Sequence, residues 1–200
     1  MYKVIGSPRS RSARIYWMLE ELGQPYEIVP AKPHSPEVLA LNPGGKIPIL
    51  LEGEAVLTDS VAIVQYLADK HGACTFAAGT VNRAIQDSFT QFCVDEIEGA
   101  LWTAAKQTMI YANCAPQIVD VCRTEFTKAL ETLARRLGDK PFVMGDTFTV
   151  PDLILGHCGG WAAMSRFPMP KEGPLYDYFK RLRERPAYGA MGKRVAEVQK

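Results

Sequence analysis

An α/β domain joined to an all-α domain is the fold class this sequence predicts, and three observations point there. Over the first 75 residues, segments of strand character alternate with segments of helical periodicity. From residue 82 onward apolar residues recur only at helical spacing, as in Phe89, Phe92, Cys93 and Ile97 and again in Ile118, Val121, Cys122, Phe126, Leu130, Leu133 and Leu137. Between the two patterns, residues 73–81, with Gly72 and Gly79 near their ends, read as a short linker. The domains are therefore placed at residues 1–75 and 82–200.

The chain opens on a strand over residues 2–5 and continues into a helix from about Ser12 to Leu22, which carries Ile15, Met18, Leu19 and Leu22 on one face. Gly23 supplies a left-handed stop, and Pro25 lies just beyond it. A second strand near residues 26–29 completes a βαβ unit, whose strands are expected to run parallel with a right-handed crossover. Ser35-Pro36-Glu37 reads as a short helical turn with serine as cap and proline at the first helical position. Strands over 47–51 and 55–57, joined at Glu52-Gly53, form an antiparallel hairpin, and a helix from Asp59 to about Lys70 ends at His71-Gly72. In the helical half one start is well marked: Thr149 caps, Asp152 returns a bond to the cap, and Phe148 is placed to staple onto Leu153. That capping box reads as structural, because nothing near it requires a catalytic carboxylate.

Composition excludes several classes of function. Lys and Arg number 23 against 22 Asp and Glu, a net charge of +1, and no basic run stands out, so nucleic acid is not an expected partner. A hydrophobic fraction of 47% in 200 residues is enough to build a globular core. The five cysteines are odd in number, widely spaced and without a Cys-x-x-Cys pair, which points to reduced thiols and a cytoplasmic protein. With neither a signal-like start nor an apolar run of membrane-spanning length, the chain is expected to be neither exported nor embedded in a membrane.

Lys46-Ile47-Pro48-Ile49 is the most informative stretch, because proline normally interrupts a ladder. At the first residue of a strand, held cis, it leaves the neighbouring N–H and C=O facing outward, where an extended peptide can add as a short strand. The helix opening at Asp59-Ser60 aims its free N–H groups and positive dipole end at the same place, which suits a small peptide with a free carboxylate. Ser7-Pro8-Arg9-Ser10-Arg11-Ser12 fills the turn before the first helix, where a hydroxyl can donate to an anion or simply cap. Gly44-Gly45 reads as a turn and not a phosphate loop, and no His, Cys or Asp cluster has metal-site spacing.

These residues converge. Gly6-Ser7-Pro8-Arg9-Ser10 with Arg14 on the next helix, Asn42-Pro43-Gly44-Gly45-Lys46-Ile47-Pro48, Asp59-Ser60 and Thr149-Val150-Pro151-Asp152 resemble the cytosolic glutathione transferase superfamily in order and spacing, over essentially the whole chain. The resemblance implies a thioredoxin-like N-terminal domain that binds glutathione as cosubstrate, and an all-α C-terminal domain contributing the pocket for a small apolar electrophile. It further implies a homodimer, a detoxifying role and no metal. Carried over by residue, it implies that Ile47 before a cis Pro48 pairs with the cysteinyl part of glutathione, that Asp59 and Ser60 hold the γ-glutamyl end, and that Lys46 and His34 meet the glycyl carboxylate. Ser10 takes the place of the hydroxyl that activates the thiol in serine-type members, with Ser7 and Ser12 flanking it. Arg14 is read either as a source of positive potential or as an ion-pairing residue. Trp102, Tyr111 and Trp161 are candidates for the second-substrate pocket, alongside Met109, Met164 and Phe167; core packing is the other reading of each. The same resemblance extends to non-catalytic docking modules and to glutathione-dependent peroxidases and dehalogenases.

Overall fold

The structure, a computed structural model, describes residues 1–112 and 114–198. It comprises two compact units, one formed by Met1–Phe76 together with the chain from Arg183 onward, the other by Ala77–Leu182. Residues 183–198, assigned from the sequence to the helical half, thus pack with the first unit.

The first unit is built on a four-stranded sheet of order β2-β1-β3-β4, with β1 at Tyr2–Gly6, β2 at Tyr26–Pro30, β3 at Ile49–Glu52 and β4 at Ala55–Thr58. β1 runs parallel to β2, with Val4 opposite Ile28, and antiparallel to β3, with Val4 opposite Leu50; β3 and β4 form the antiparallel hairpin. Side chains alternate across the sheet. Ile5 and Ile49 therefore share one face, where they are buried with Ala31 and with Val38 of the short helix α2 (Pro36–Leu41). Val4 and Leu50, both without solvent access, face the other way. The helices α1 (Ser12–Glu21) and α3 (Ser60–His71) pack against each other. Gly72, at φ +63, ends α3 in the left-handed conformation expected of it. β3 starts two residues later than its sequence pattern implies, because Pro48 has no N–H for the ladder; the Ile47–Pro48 bond is cis.

The last helix, α9 (Pro186–Val198), closes this unit against α1. Arg185, just before it, donates from Nε and Nη2 to the two carboxylate oxygens of Glu21 at 2.6 and 2.7 Å. Trp17 Nε1 donates to the same carboxylate at 2.9 Å, and the Trp17 ring meets Tyr188 edge-on at 4.9 Å. A bidentate pair whose acid is 7% exposed is geometrically specific in a way that surface ion pairs are not.

The second unit carries α4 (Val81–Phe92), a π-helical turn at Cys93–Glu98, α5 (Gly99–Met109), α6 (Gln117–Leu137), α7 (Val150–Met164) and most of α8 (Pro174–Arg183). The π turn inserts a residue into an otherwise continuous helical rod and re-phases its apolar face, so Phe89 and Phe92 before it, Cys93 and Ile97 within it and Ala100 and Leu101 after it are all buried. α6 locks onto α4 through Arg136, whose guanidinium lies 3.8 Å from the Phe89 ring centroid and donates to Ser88 Oγ. Among the described residues no helix is long and apolar enough to cross a membrane.

The hub of the helical unit is Asp152, which has no solvent access. Its Oδ2 accepts from the N–H and the hydroxyl of Thr149, closing the capping box of α7, and its Oδ1 accepts from Val143 N–H and from the Tyr178 hydroxyl at 2.8 Å. Burial pushes this carboxyl above the usual range against the pull of its four donors. One side chain thus joins the loop before α7, its first turn and α8. Asp152→Ala is expected to cost about 2 kcal/mol or more, from lost capping and orphaned donors. Thermal unfolding followed by circular dichroism should then show a midpoint lower by about 5 °C or more.

Candidate active site

The residues singled out in the N-terminal half fall into three groups, all within the first unit. The first is the turn between β1 and α1. Ser10, half-buried, donates its hydroxyl proton to the Ser7 carbonyl at 2.6 Å and accepts from the Ser12 N–H at 3.1 Å. Its oxygen lies 3.0 Å from Ser12 Oγ. Ser12 has no solvent access, and its hydroxyl occupies the space where a Cβ on Gly6 would sit, at 2.1 Å. Glycine at position 6 is therefore what lets the second hydroxyl fold in behind the first. Ser10 stands at the positive end of α1, where the N–H groups of Ala13 and Arg14 already donate to the carbonyls of Ser10 and Arg11.

The second group is the loop before β3. Asn42 organises it, accepting from Gly44 N–H through Oδ1 and donating from Nδ2 to the Lys46 carbonyl at 2.9 Å. Gly45 adopts φ +64, and a Cβ there would lie 2.2 Å from His34 Nδ1, so the exposed imidazole rests directly on a glycine backbone. His34 N–H also donates to the Gly45 carbonyl at 2.7 Å. The structure thus brings His34 onto the loop that carries Lys46, whose side chain is exposed. Ile47 lies outside the sheet ladder, half-buried, beside the buried Pro48.

The third group is the start of α3. Asp59, at φ +70, caps the helix, its Oδ1 accepting from the N–H groups of Val61 and Ala62 at 2.8 and 3.2 Å. Capping uses one carboxylate oxygen and leaves Oδ2 on an exposed residue. Ser60 is 3% exposed, and its Oγ accepts from Arg14 Nη1 at 3.1 Å, so its own proton remains for another acceptor. Arg14 has no solvent access. Of the readings of Arg14, only a surface ion pair is excluded by its burial: the guanidinium lies inside the unit, bonded to the first residue of α3.

In the helical unit, Trp102 of α5 and Trp161 of α7 meet edge-on at 6.4 Å, with His157 at the same distance from Trp161 and Lys106 Nζ 6.0 Å from the Trp102 ring. Both tryptophans are half-buried. Tyr111 lies past the end of α5, 50% exposed, and Met109 and Met164 are exposed; Phe167 instead packs edge-on against Phe126 in the core. A cavity of about 360 Å³ in this unit is lined by Arg123, Thr124, Thr127, Arg166 and Pro168 and holds none of the expected residues. Among the described residues no group of three or more His, Cys, Asp or Glu is placed to hold a metal ion.

Sequence reasoning passed over two organising residues. Asn42 was visible in Asn-Pro-Gly-Gly, a turn signature in which the asparagine amide commonly bonds its own loop. Tyr16, fully buried one turn beyond Ser12, carries no sequence signal that sets it apart from the apolar face of α1.

A mixed βαβ-ββα sheet unit followed by a helical unit is the architecture of thioredoxin-like glutathione enzymes. A family model described as the N-terminal domain of glutathione S-transferase matches residues 2–75, and one described as its C-terminal domain matches residues 95–187. Glutathione S-transferase 1 of Zea mays is 31% identical over 68% of this chain and 68% of its own length. A glutathione S-transferase of Silene vulgaris is 26% identical over 93% of this chain and 94% of its own. In fold, glutathione transferase URE2P8 of Phanerochaete chrysosporium, solved with oxidized glutathione, gives a TM-score of 0.85 at 22% identity, over 99% of this chain and 96% of that one. The chain belongs to the glutathione S-transferase family; it is a transferase that binds glutathione.

The Arg14–Ser60 bond generates a test. Lysine at position 14 keeps the charge but loses the planar fork that fixes Ser60. Arg14→Lys is expected to raise the KM for glutathione about tenfold, or about 1.4 kcal/mol. Steady-state kinetics at varied glutathione would show it, and an unchanged KM would confine Arg14 to packing.

Proposed function

We propose that this transferase ionises the thiol of bound glutathione at the start of α1 through Ser10 and presents it to a small apolar electrophile. The observation that carries the reading is the Ser10 hydroxyl, half-buried at the positive end of α1 with its oxygen already accepting from Ser12 N–H. A free thiol with a pKa of about 8.5 is about 3% ionised at neutral pH, and a downward shift of roughly two units, about 2.7 kcal/mol, makes it mostly thiolate. A hydrogen bond to a charged group supplies about 1.5–3 kcal/mol and a helix terminus about 0.3–1 more. One hydroxyl on a helix start therefore suffices. Serine here, unlike cysteine, forms no mixed disulfide with glutathione, which favours conjugation over redox exchange.

The remaining assignments follow the chemistry of each group. Ile47 pairs through its backbone with the cysteinyl residue beside Pro48. The Ser60 hydroxyl, backed by the charge of Arg14, donates to the γ-glutamyl carboxylate, and Asp59 Oδ2 accepts from the γ-glutamyl amine. Lys46 and His34, on one loop, bind the glycyl carboxylate. The Trp102 and Trp161 rings, with Tyr111, offer apolar surface to the electrophile. The protein works as a cytoplasmic homodimer in detoxification, and exposed Val56 on β4 with Tyr66 on α3 supplies apolar surface suited to a second copy.

Ser10→Ala is expected to reduce kcat with an aryl halide substrate at least tenfold, about 1.4 kcal/mol or more, while retention on immobilised glutathione stays. If Ser10→Ala keeps full turnover and Ser12→Ala loses it, the hydroxyl assignment moves to Ser12.

A further inference from the structure

The Tyr16 hydroxyl is buried in a residue with no solvent access and forms no hydrogen bond of ordinary geometry among the described residues. Buried hydroxyls are nearly always paired, so an orphan calls for an explanation. Its polar neighbour is Ser12, one helical turn back on the same face of α1, and burial pushes the phenol up to about 12, eased only by that serine. The phenol therefore stays protonated and acts as a donor.

The direction of each bond can be worked out from the Ser10 end. The Ser10 proton is committed to the Ser7 carbonyl at 2.6 Å, so in the 3.0 Å contact between the two serines the proton between the oxygens comes from Ser12. Ser12 Oγ, having given its proton to Ser10, has lone pairs left, and Tyr16 is the donor placed for them. From these contacts we propose that Tyr16, Ser12 and Ser10 form a hydroxyl relay, Tyr16 to Ser12 to Ser10, that strengthens the Ser10 hydroxyl as a donor to the glutathione thiolate. Ser12 and Tyr16 are positioning residues in it, since neither touches sulfur.

Within the relay no proton changes owner. When the sulfur arrives, the Ser10 O–H turns from the Ser7 carbonyl toward it, the thiol proton leaves to solvent, and Ser10 Oγ keeps the two donors behind it, Ser12 N–H and Ser12 O–H. A hydroxyl whose oxygen accepts such bonds is polarised and donates more strongly. The Tyr16 to Ser12 bond closes as the chain of hydroxyls turns. Fixed charges near the relay are Arg9 and Arg11 on the turn, Arg14 further along α1, and, beyond the Tyr26 ring stacked on Tyr16 at 5.9 Å, Glu20 and Arg194. Of these, Arg14 is fully buried with a guanidinium committed to Ser60, and Glu20 accepts from the Tyr26 hydroxyl.

The inference rests on the reading of Ser10 as the thiol-activating residue, and one experiment separates their fates. The thiolate of bound glutathione is titrated by ultraviolet difference absorbance in the wild type, Ser10→Ala, Ser12→Ala, Tyr16→Phe and the two double variants of Tyr16→Phe with either serine variant. Ser12→Ala is expected to raise the thiol midpoint by about half to one pH unit and Tyr16→Phe by a few tenths. Tyr16→Phe is expected to add nothing once Ser12 or Ser10 is alanine, because the relay is then already cut. Thermal melts confirm that each variant is folded. If Ser10→Ala leaves the midpoint unchanged, the reading of Ser10 fails. If Ser10→Ala shifts it while folded Ser12→Ala and Tyr16→Phe do not, or if their effects simply add, Ser10 stands and the relay is overturned. A Tyr16→Phe variant that only gains stability would mark the hydroxyl as an orphan and overturn the relay too.

Discussion

A guanidinium sealed from water, that of Arg14, is the constraint around which the first unit is arranged. A buried charge is tolerated only with partners close at hand, and here one partner is the first residue of α3. Arg14 sits in the first turn of α1, so the bond holds two helix N-termini within a side chain's length of each other. Both ends are positive, and the charge between them is positive as well. Asp59 relieves part of this by capping α3. The rest is a positive potential at two neighbouring helix starts, which an anionic ligand would relieve; under the proposed assignment glutathione does so with a carboxylate at α3 and a thiolate at α1.

The second unit solves an analogous problem with the opposite sign. Asp152 is a buried carboxylate ringed by donors from a loop, a cap and a distant helix. In both units a single desolvated charge fixes the relation between elements that are far apart in sequence, and an apolar side chain of the same size would not impose the same geometry. The charge selects one arrangement because every other one leaves it without partners.

Much of this was legible in the sequence where the signal was local. Gly72 at the end of a helix, Asp59-Ser60 at a helix start and the Thr149–Asp152 box each depend on a few adjacent residues, and each lies where the pattern places it. The start of β3 was read two residues early, since alternation in Ile47-Pro48-Ile49 does not reveal that the ladder waits for an N–H. Arg14 could not be read, because its burial is decided by Ser60, distant in sequence, and a lone arginine in a first turn looks the same whether it faces solvent or core. The π turn escaped for a related reason: an inserted residue shifts the phase of an apolar stripe without erasing it. Ser12 is legible as one of three hydroxyls in the turn, but the proposed part of Tyr16 is not, since a tyrosine on an apolar helix face reads as packing until its hydroxyl is followed to its neighbour.

The packing of α9 on α1 has a consequence for how the chain is made. Trp17, Glu21 and Tyr26 leave the ribosome early, yet the groups that cover them, Arg185, Tyr188 and Arg194, emerge only after the whole helical unit. At about 5–20 residues per second the interval is on the order of ten seconds. Through that time the nascent first unit carries an uncovered tryptophan and a carboxylate without its guanidinium partner. Biosynthesis thus closes the helical unit before the sheet unit that precedes it along the chain.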